Sequence, residues 1–181
     1  MIVKIKTHKK PNFKKLFDYL LNDKGRLFDE NEKSFLITHN LYGDTADEWV
    51  KQFKENESHR GHKRKNAVLL YHEILSWHRS DTENLSLEKM EDMVRQYIEL
   101  RNPNGLYVAV PHHDKQHLHV HLAVSALEFH SGKTMRLSKK EFAELKKKIQ
   151  LYQQQKYPDL SKSIVRHGLG KAQPSPIKNG S

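Results

Sequence analysis

The chain has 181 residues, with 32 Lys and Arg against 22 Asp and Glu, a formal charge of +10 before any of its 13 histidines is counted. That length suits one domain, and 36% hydrophobic residues against 30% charged suit a single core inside a wide polar surface rather than two large cores. The absence of cysteine excludes a disulfide framework and thiolate chemistry, so any metal site must use His, Asp or Glu.

In chain order, Ile2, Val3 and Ile5 predict a short first strand. Pro11 and Asn12 open a helix whose apolar residues Phe13, Leu16, Phe17, Leu20 and Leu21 share one face. Residues 34–39 read as a strand. Thr45-Ala-Asp-Glu48 is a capping box that starts a helix carrying Trp49, Val50 and Phe53. A polar, basic loop at 59–65 leads to a strand-like run at 66–77. Ser86 caps a helix with Leu87, Met90, Val94, Tyr97 and Ile98 at periodic positions, closed by Asn102-Pro-Asn-Gly105. Residues 106–112 and 117–127 form two strand-like runs joined by a connection short enough for a hairpin. Ser138-Lys-Lys-Glu141 is a second capping box, followed by Phe142, Leu145, Ile149 and Tyr152 at helical spacing. This order predicts an α+β domain over residues 1–160, with helices packed on a largely antiparallel sheet, and a basic flexible tail over 161–181. The start lacks the apolar region of a signal peptide, and runs such as 67–71 are too short to span a bilayer. A cytoplasmic protein without membrane insertion is expected.

The positive charge is clustered. Residues 1–15 carry +6, residues 51–65 carry +4 and residues 161–181 carry +4, so the remainder is net −4. Such acid-poor segments can neutralise phosphates and release counterions. Lys6, Lys9, Lys10, Lys14 and Lys15, with Arg60, Lys63, Arg64 and Lys65, are the candidate DNA-backbone contacts.

Five histidines fall within ten residues, at 112, 113, 117, 119 and 121. On a strand, alternate side chains share a face, so His117, His119, His121, Ala123 and Ser125 line one side and Leu118, Val120, Leu122, Val124 and Ala126 the other. One face reads as chemistry and the other as core. Paired in a hairpin, His112 lies opposite or diagonal to these histidines, and imidazoles from both strands can converge on a divalent cation. Asp114 is placed to fix the tautomer of a ligand. Imidazoles suit Mn²⁺, Zn²⁺, Co²⁺ or Ni²⁺ by softness better than Mg²⁺, while cellular availability also favours Mn²⁺ or Mg²⁺.

His119-Val-His121 within His112-x-Asp114-x-x-His117-x-His119-x-His121 resembles the motif of the relaxase, or mobilisation nuclease, branch of the HUH endonucleases. The resemblance runs from about residue 10 to 155 and includes a tyrosine-bearing first helix, His72-Glu-Ile-Leu-Ser76 and the Gly132-Lys133 turn. It implies a site- and strand-specific nuclease that nicks and rejoins single-stranded DNA at a plasmid or mobile-element transfer origin. The chemistry implied is a 5′-phosphotyrosyl intermediate assisted by a His-bound divalent metal. The resemblance further implies His112, His119 and His121 as ligands, Asp114 as a catalytic support, and His117 as a DNA contact or phosphate-orienting group. Its usual partners would be relaxosome accessory proteins and a secretion-system coupling protein. Ser125 stands in the region where the family commonly carries Asn.

Among seven tyrosines, Tyr19 lies about 130° from the centre of the apolar stripe of its helix and is not needed for the core. Phe17-Asp-Tyr19-Leu-Leu-Asn also resembles the family's first motif, so Tyr19 is the candidate nucleophile. His72 and Ser76 share one strand face and are secondary site or DNA-contact candidates. Three alternatives predict different behaviour: an HUH replication initiator, in which the tyrosine usually follows the histidines; a metal-dependent hydrolase that does not act on DNA; and a DNA-binding module without catalysis.

Overall fold

A computed structural model describes residues 1–113 and 117–165. Its strands are β1 (Ile2–His8), β2 (Ile37–His39), β3 (Leu70–Ser76), β4 (Tyr107–His113) and β5 (Leu118–Ser125). They form one antiparallel sheet in the order β1-β3-β5-β4-β2. The helices are α1 (Phe13–Leu20), α2 (Ala46–Glu57), α3 (Leu87–Arg101) and α4 (Lys139–Lys156). The α+β architecture and the late hairpin follow the sequence reading. Both capping boxes form, with Thr45 and Ser138 accepting from the backbone N–H of Glu48 and Glu141 while each glutamate reaches back to its cap residue.

The helices divide between the two faces of the sheet. On one face, Leu75, Val120, Leu122 and Val124 meet Met90, Val94, Tyr97 and Ile98 of α3 and Leu145 and Ile149 of α4. On the other, Leu70, Val108, Val110 and Ala123 lie under Phe13, Leu16, Phe17 and Leu20 of α1 and Trp49, Val50 and Phe53 of α2. The single core expected from composition is therefore two clusters separated by the sheet. α1 and α2 are short and cover only part of their face. The part beyond their apolar residues carries His72, Ile74 and Ser76 of β3 beside His119 and His121 of β5, with His72 and His121 buried and the other three half-buried.

Two local differences from the sequence reading have clear causes. The strand expected at 34–39 is only Ile37–His39. The reason is that Arg26 bridges to His112 and the Leu27 N–H donates to the Pro111 carbonyl, so this segment occupies the stretch of β4 edge that residues 34–36 would have paired with. A 3-10 turn at Arg79–Asn84 was not foreseen, because its six polar residues carry no periodicity. Packing also continues past the boundary expected at residue 160. Ser163 is buried, and Val165 exchanges hydrogen bonds with Gln150. Residues 166–181 of the predicted tail lie outside the described residues.

The face under α3 also buries an ion pair. Glu73 accepts from Arg101 Nε at 3.2 Å and from Tyr97 Oη at 2.6 Å, and both charged side chains are almost fully enclosed. Removing one partner strands the other charge in the interior. Glu73→Ala is therefore expected to cost about 3–5 kcal/mol in urea unfolding, a loss of stability unrelated to the chemistry on the opposite face.

Candidate metal centre

Strand register assembles the site. His72, Ile74 and Ser76 pair with Ala123, His121 and His119, while His112 pairs with His119. Directly opposed residues share a face, so histidines from three strands meet on the side that carries α1 and α2, with His72, His112 and His121 buried there. One donor nitrogen from each of His112, His119 and His121 can be chosen such that all lie within 4.8 Å of one another.

Each of the three rings has one nitrogen held by the protein. His112 Nε2 lies 2.6 Å from the Leu20 carbonyl at the end of α1, and because a carbonyl can only accept, Nε2 carries the proton and Nδ1 the lone pair. His119 Nδ1 likewise donates to the His117 carbonyl at 3.1 Å. His121 Nδ1 lies 2.7 Å from His72 Nε2. Nε2 of His121 is buried with no hydrogen-bond partner among the described residues. A buried imidazole nitrogen left in that state is costly unless something else binds it. The set of outer partners holding one nitrogen and freeing the other fits a divalent cation.

Burial disfavours the charged form of His72, His112 and His121. It is the largest cause in lowering His72 to about 4 and His121 to about 2, with Lys6 next for His72 and His119 next for His121. His112 is lowered as well, mainly by burial, against an opposing contribution from the Leu20 carbonyl. His112 and His121 are therefore neutral and ready to ligate at neutral pH without displacing protons. The sign of the pH effect follows directly. Below about 6.5 the unfolded chain takes up protons that the folded site refuses, so the metal-free protein is expected to lose stability as pH falls from 6.5 toward 4. Thermal denaturation across that window in chelator checks this, and a flat profile would contradict it.

Tyr19 sits at the last turn of α1, 54% exposed, with its ring over the histidines. Its centroid is 5.3 Å from that of His121, 5.9 Å from His72 and 6.1 Å from His112. α1 thus serves the site twice, through the Tyr19 ring and through the Leu20 carbonyl on His112. After α1 the chain turns to pair with β4, and there the sequence reading missed a residue. A Cβ on Gly25 would come within 2.8 Å of His112 Nδ1, the nitrogen that keeps its lone pair. Gly25→Ala is expected to weaken metal binding at least tenfold by calorimetry, in line with the roughly 10–100-fold cost of disturbing groups around a ligand. Nothing in the spacing around Gly25 signals this approach.

The other candidates fall into separate groups. Ser76 and His117 line the same cleft as Tyr19, His119 and His121, together with Lys6. Lys9, Lys10 and Lys15 are exposed around the start of α1, while Lys14 pairs with Asp18 and Asp47. Lys63, Arg64 and Lys65 occupy an exposed loop whose end meets β1, where the Leu69 N–H donates to the His8 carbonyl. Arg60 is turned inward, bonded to Glu57 and to the Val68 carbonyl, so its charge is engaged in holding that loop. Ser125 is buried and bonded to the Leu106 N–H and the Leu127 carbonyl, which gives it a structural role at the end of β5. Asp114 lies outside the described residues.

A family model described as the nuclease domain of MobA/VirD2-like relaxases matches residues 19–157. Among solved structures, the chain is similar to the MobM relaxase domain (MOBV; Mob_Pre) bound to 26-nucleotide pMV158 oriT DNA, at 17% identity and a TM-score of 0.61, with 96% of this chain and 94% of that one covered. A Mn-bound crystal structure of the same domain with oriT DNA gives a TM-score of 0.60 at 17% identity, over 97% and 94% of the two chains. The conjugative relaxase TrwC in complex with oriT DNA gives 0.50 at 11% identity, over 94% and 73%. At these identities the likeness is one of fold. Comparison with curated proteins gave no match. Among the described residues, no helix is long and apolar enough to cross a membrane.

Proposed function

The chain belongs to the family of MobA/VirD2-like relaxase nuclease domains, and from that membership we propose that it nicks and rejoins single-stranded DNA at a transfer origin with Tyr19 as nucleophile. The observation that carries this reading is the Tyr19 ring lying on His72, His112 and His121 at the open edge of the histidine cluster. An exposed phenol beside a metal-ligand set is arranged for phosphoryl transfer and serves no evident packing purpose.

In the reaction, Tyr19 Oη attacks the scissile phosphorus, and a bond from phosphorus to the phenolic oxygen forms. The phenol gives up its proton, the bond to the 3′ oxygen breaks, and that oxygen takes up a proton to leave as a 3′-hydroxyl, so no net proton is gained or lost. One phosphodiester is exchanged for another, so the free 3′-hydroxyl can reverse the step and rejoin the strand. His112, His119 and His121 would hold a divalent cation, which supplies Lewis-acid polarisation of the phosphate and stabilises its developing charge. Mn²⁺ suits an all-imidazole set better than Mg²⁺, which prefers oxygen ligands, and the MobM relaxase domain has been crystallised with Mn. His72 holds the His121 ring in orientation, and Lys6 adds positive potential along the cleft.

Transfer-origin oligonucleotides labelled at either end test this reading in Mn²⁺. The expected products are a 5′ fragment with an extendable 3′-hydroxyl and a 3′ fragment that migrates with protein until protease is added. Two free fragments without an adduct would instead favour direct hydrolysis and overturn the proposal.

A further inference from the structure

We propose that residues 162–165, after α4, form one wall of a nucleotide subsite beside the reacting centre, taking one base of the DNA against Ile2, Ile74 and Ile164 and its backbone on Lys4 and Lys162. This rests on the relaxase reading and adds a subsite to it. A cleft of about 450 Å³ extends from Tyr19, His119 and His121 along β1 and β3 to this segment. Its size is within the roughly 300–1,000 Å³ usual for small-ligand sites. No carboxylate is among the described residues that line it, whereas Lys4, Lys6 and Lys162 are. Ile2 and Ile164 remain 47% and 40% exposed, although burying them would be favourable. Apolar side chains interleaved with lysines, on a track continuous with a nuclease centre, match a single strand, which presents base faces and phosphates in alternation.

The wall is held in place on both sides of Ile164. The Ser163 N–H donates to Asp81 Oδ2 at 2.6 Å, and Ser163 Oγ accepts from the His78 N–H at 2.8 Å. The Ser163 carbonyl accepts from Gln153 Nε2 and from the Met1 amino group. The Val165 N–H and carbonyl are both bonded to the Gln150 amide, at 2.7 and 2.9 Å. Ser163 and Val165 therefore serve as anchors, while the exposed Lys162 and Ile164 between and beside them are presented in a fixed position. A preorganised wall costs less ordering on binding than a free tail would.

Fluorescence anisotropy of the full chain with labelled dT20 and with a 20-mer of abasic deoxyribose phosphate tests the subsite. Ile164→Ala is expected to weaken dT20 binding about fivefold, the loss expected for one to two methylenes no longer covered by a base, and to leave abasic binding unchanged. Lys162→Gln is expected to weaken both probes and to lower the salt slope by about 0.7, the value for one phosphate on a single strand. Equal effects of Ile164→Ala on both probes, or no effect on either, would overturn the subsite. Because Ile164 and Lys162 are exposed, unchanged melting temperatures check that each variant is folded. A wild-type protein that forms the adduct on its origin but shows no such selectivity, or binds neither probe, sinks the subsite alone, whereas one that forms no adduct on its origin oligonucleotide sinks the relaxase reading with it.

Discussion

Tyr19→Phe is expected to reduce strand cleavage to background and abolish the covalent adduct while leaving the protein folded and able to bind DNA. The substitution removes one oxygen. Among the described residues Tyr19 Oη makes no hydrogen bond, and the ring is more than half exposed, so the stability cost should stay within about 0.5 kcal/mol. The aromatic contacts to His72, His112 and His121 survive, because they depend on the ring. Loss of a covalent nucleophile, by contrast, removes the step itself, and in enzymes that rely on one it costs on the order of 10⁴–10⁶ in rate. The separation between these two effects is the diagnostic feature. Gel assays for the adduct, a thermal melt and anisotropy with the same oligonucleotide measure all three quantities, and a variant that still nicks at more than a few per cent of wild type would contradict the assignment.

The second large effect is expected at His121. Its side chain stands at the centre of the cluster, with ring centroids 4.6, 4.7 and 4.9 Å from those of His112, His119 and His72. His121→Ala takes away one of the three proposed ligands and also leaves His72 Nε2 without its partner inside the fold. Metal affinity should fall by more than the roughly 10–100-fold that follows loss of a group outside the ligand set. A simple readout is the thermal shift with Mn²⁺. Cation at 100 times its Kd stabilises a folded protein by about 2.7 kcal/mol, which for a chain of this size raises Tm by roughly 5–10 °C. Wild type is expected to show that shift and His121→Ala to lose it. His72→Ala, which leaves the three proposed ligands in place, should retain a weakened shift, and equal loss in both variants would mean that His72 belongs to the ligand set itself.

What could be read in the sequence was local. The stripe of α1, the two capping boxes and the period-two histidines all depend on spacings of two to four residues, which are set by helix and strand geometry alone. The position of Tyr19 off its stripe follows from the same arithmetic. Features that depend on register between distant segments were not legible. His72 and His121 are separated by 49 residues and meet only because β3 pairs with β5 in one particular alignment. Gly25 matters because its turn brings it beside His112, and no residue near it in the chain announces that neighbour. The alternation in β5 put the histidines on one face without showing how far that face is covered. In the structure Ala123 lies under α1 and α2 and His121 is buried, so only the His119 end of that face is partly open. Charge clustering had a similar limit. It located Lys6 and Lys162 in basic segments without distinguishing them from Arg60, whose charge is engaged by Glu57.

The central claim, that Tyr19 carries the DNA strand, is tested most directly by mapping the covalent adduct. Trypsin digestion of wild-type protein trapped on its transfer-origin oligonucleotide, followed by nuclease trimming and mass spectrometry, should place a 5′-linked nucleotide phosphate on the peptide spanning residues 16–24, in which Tyr19 is the one tyrosine. A nucleotide found on another peptide, or on a histidine of the cluster, would contradict the account.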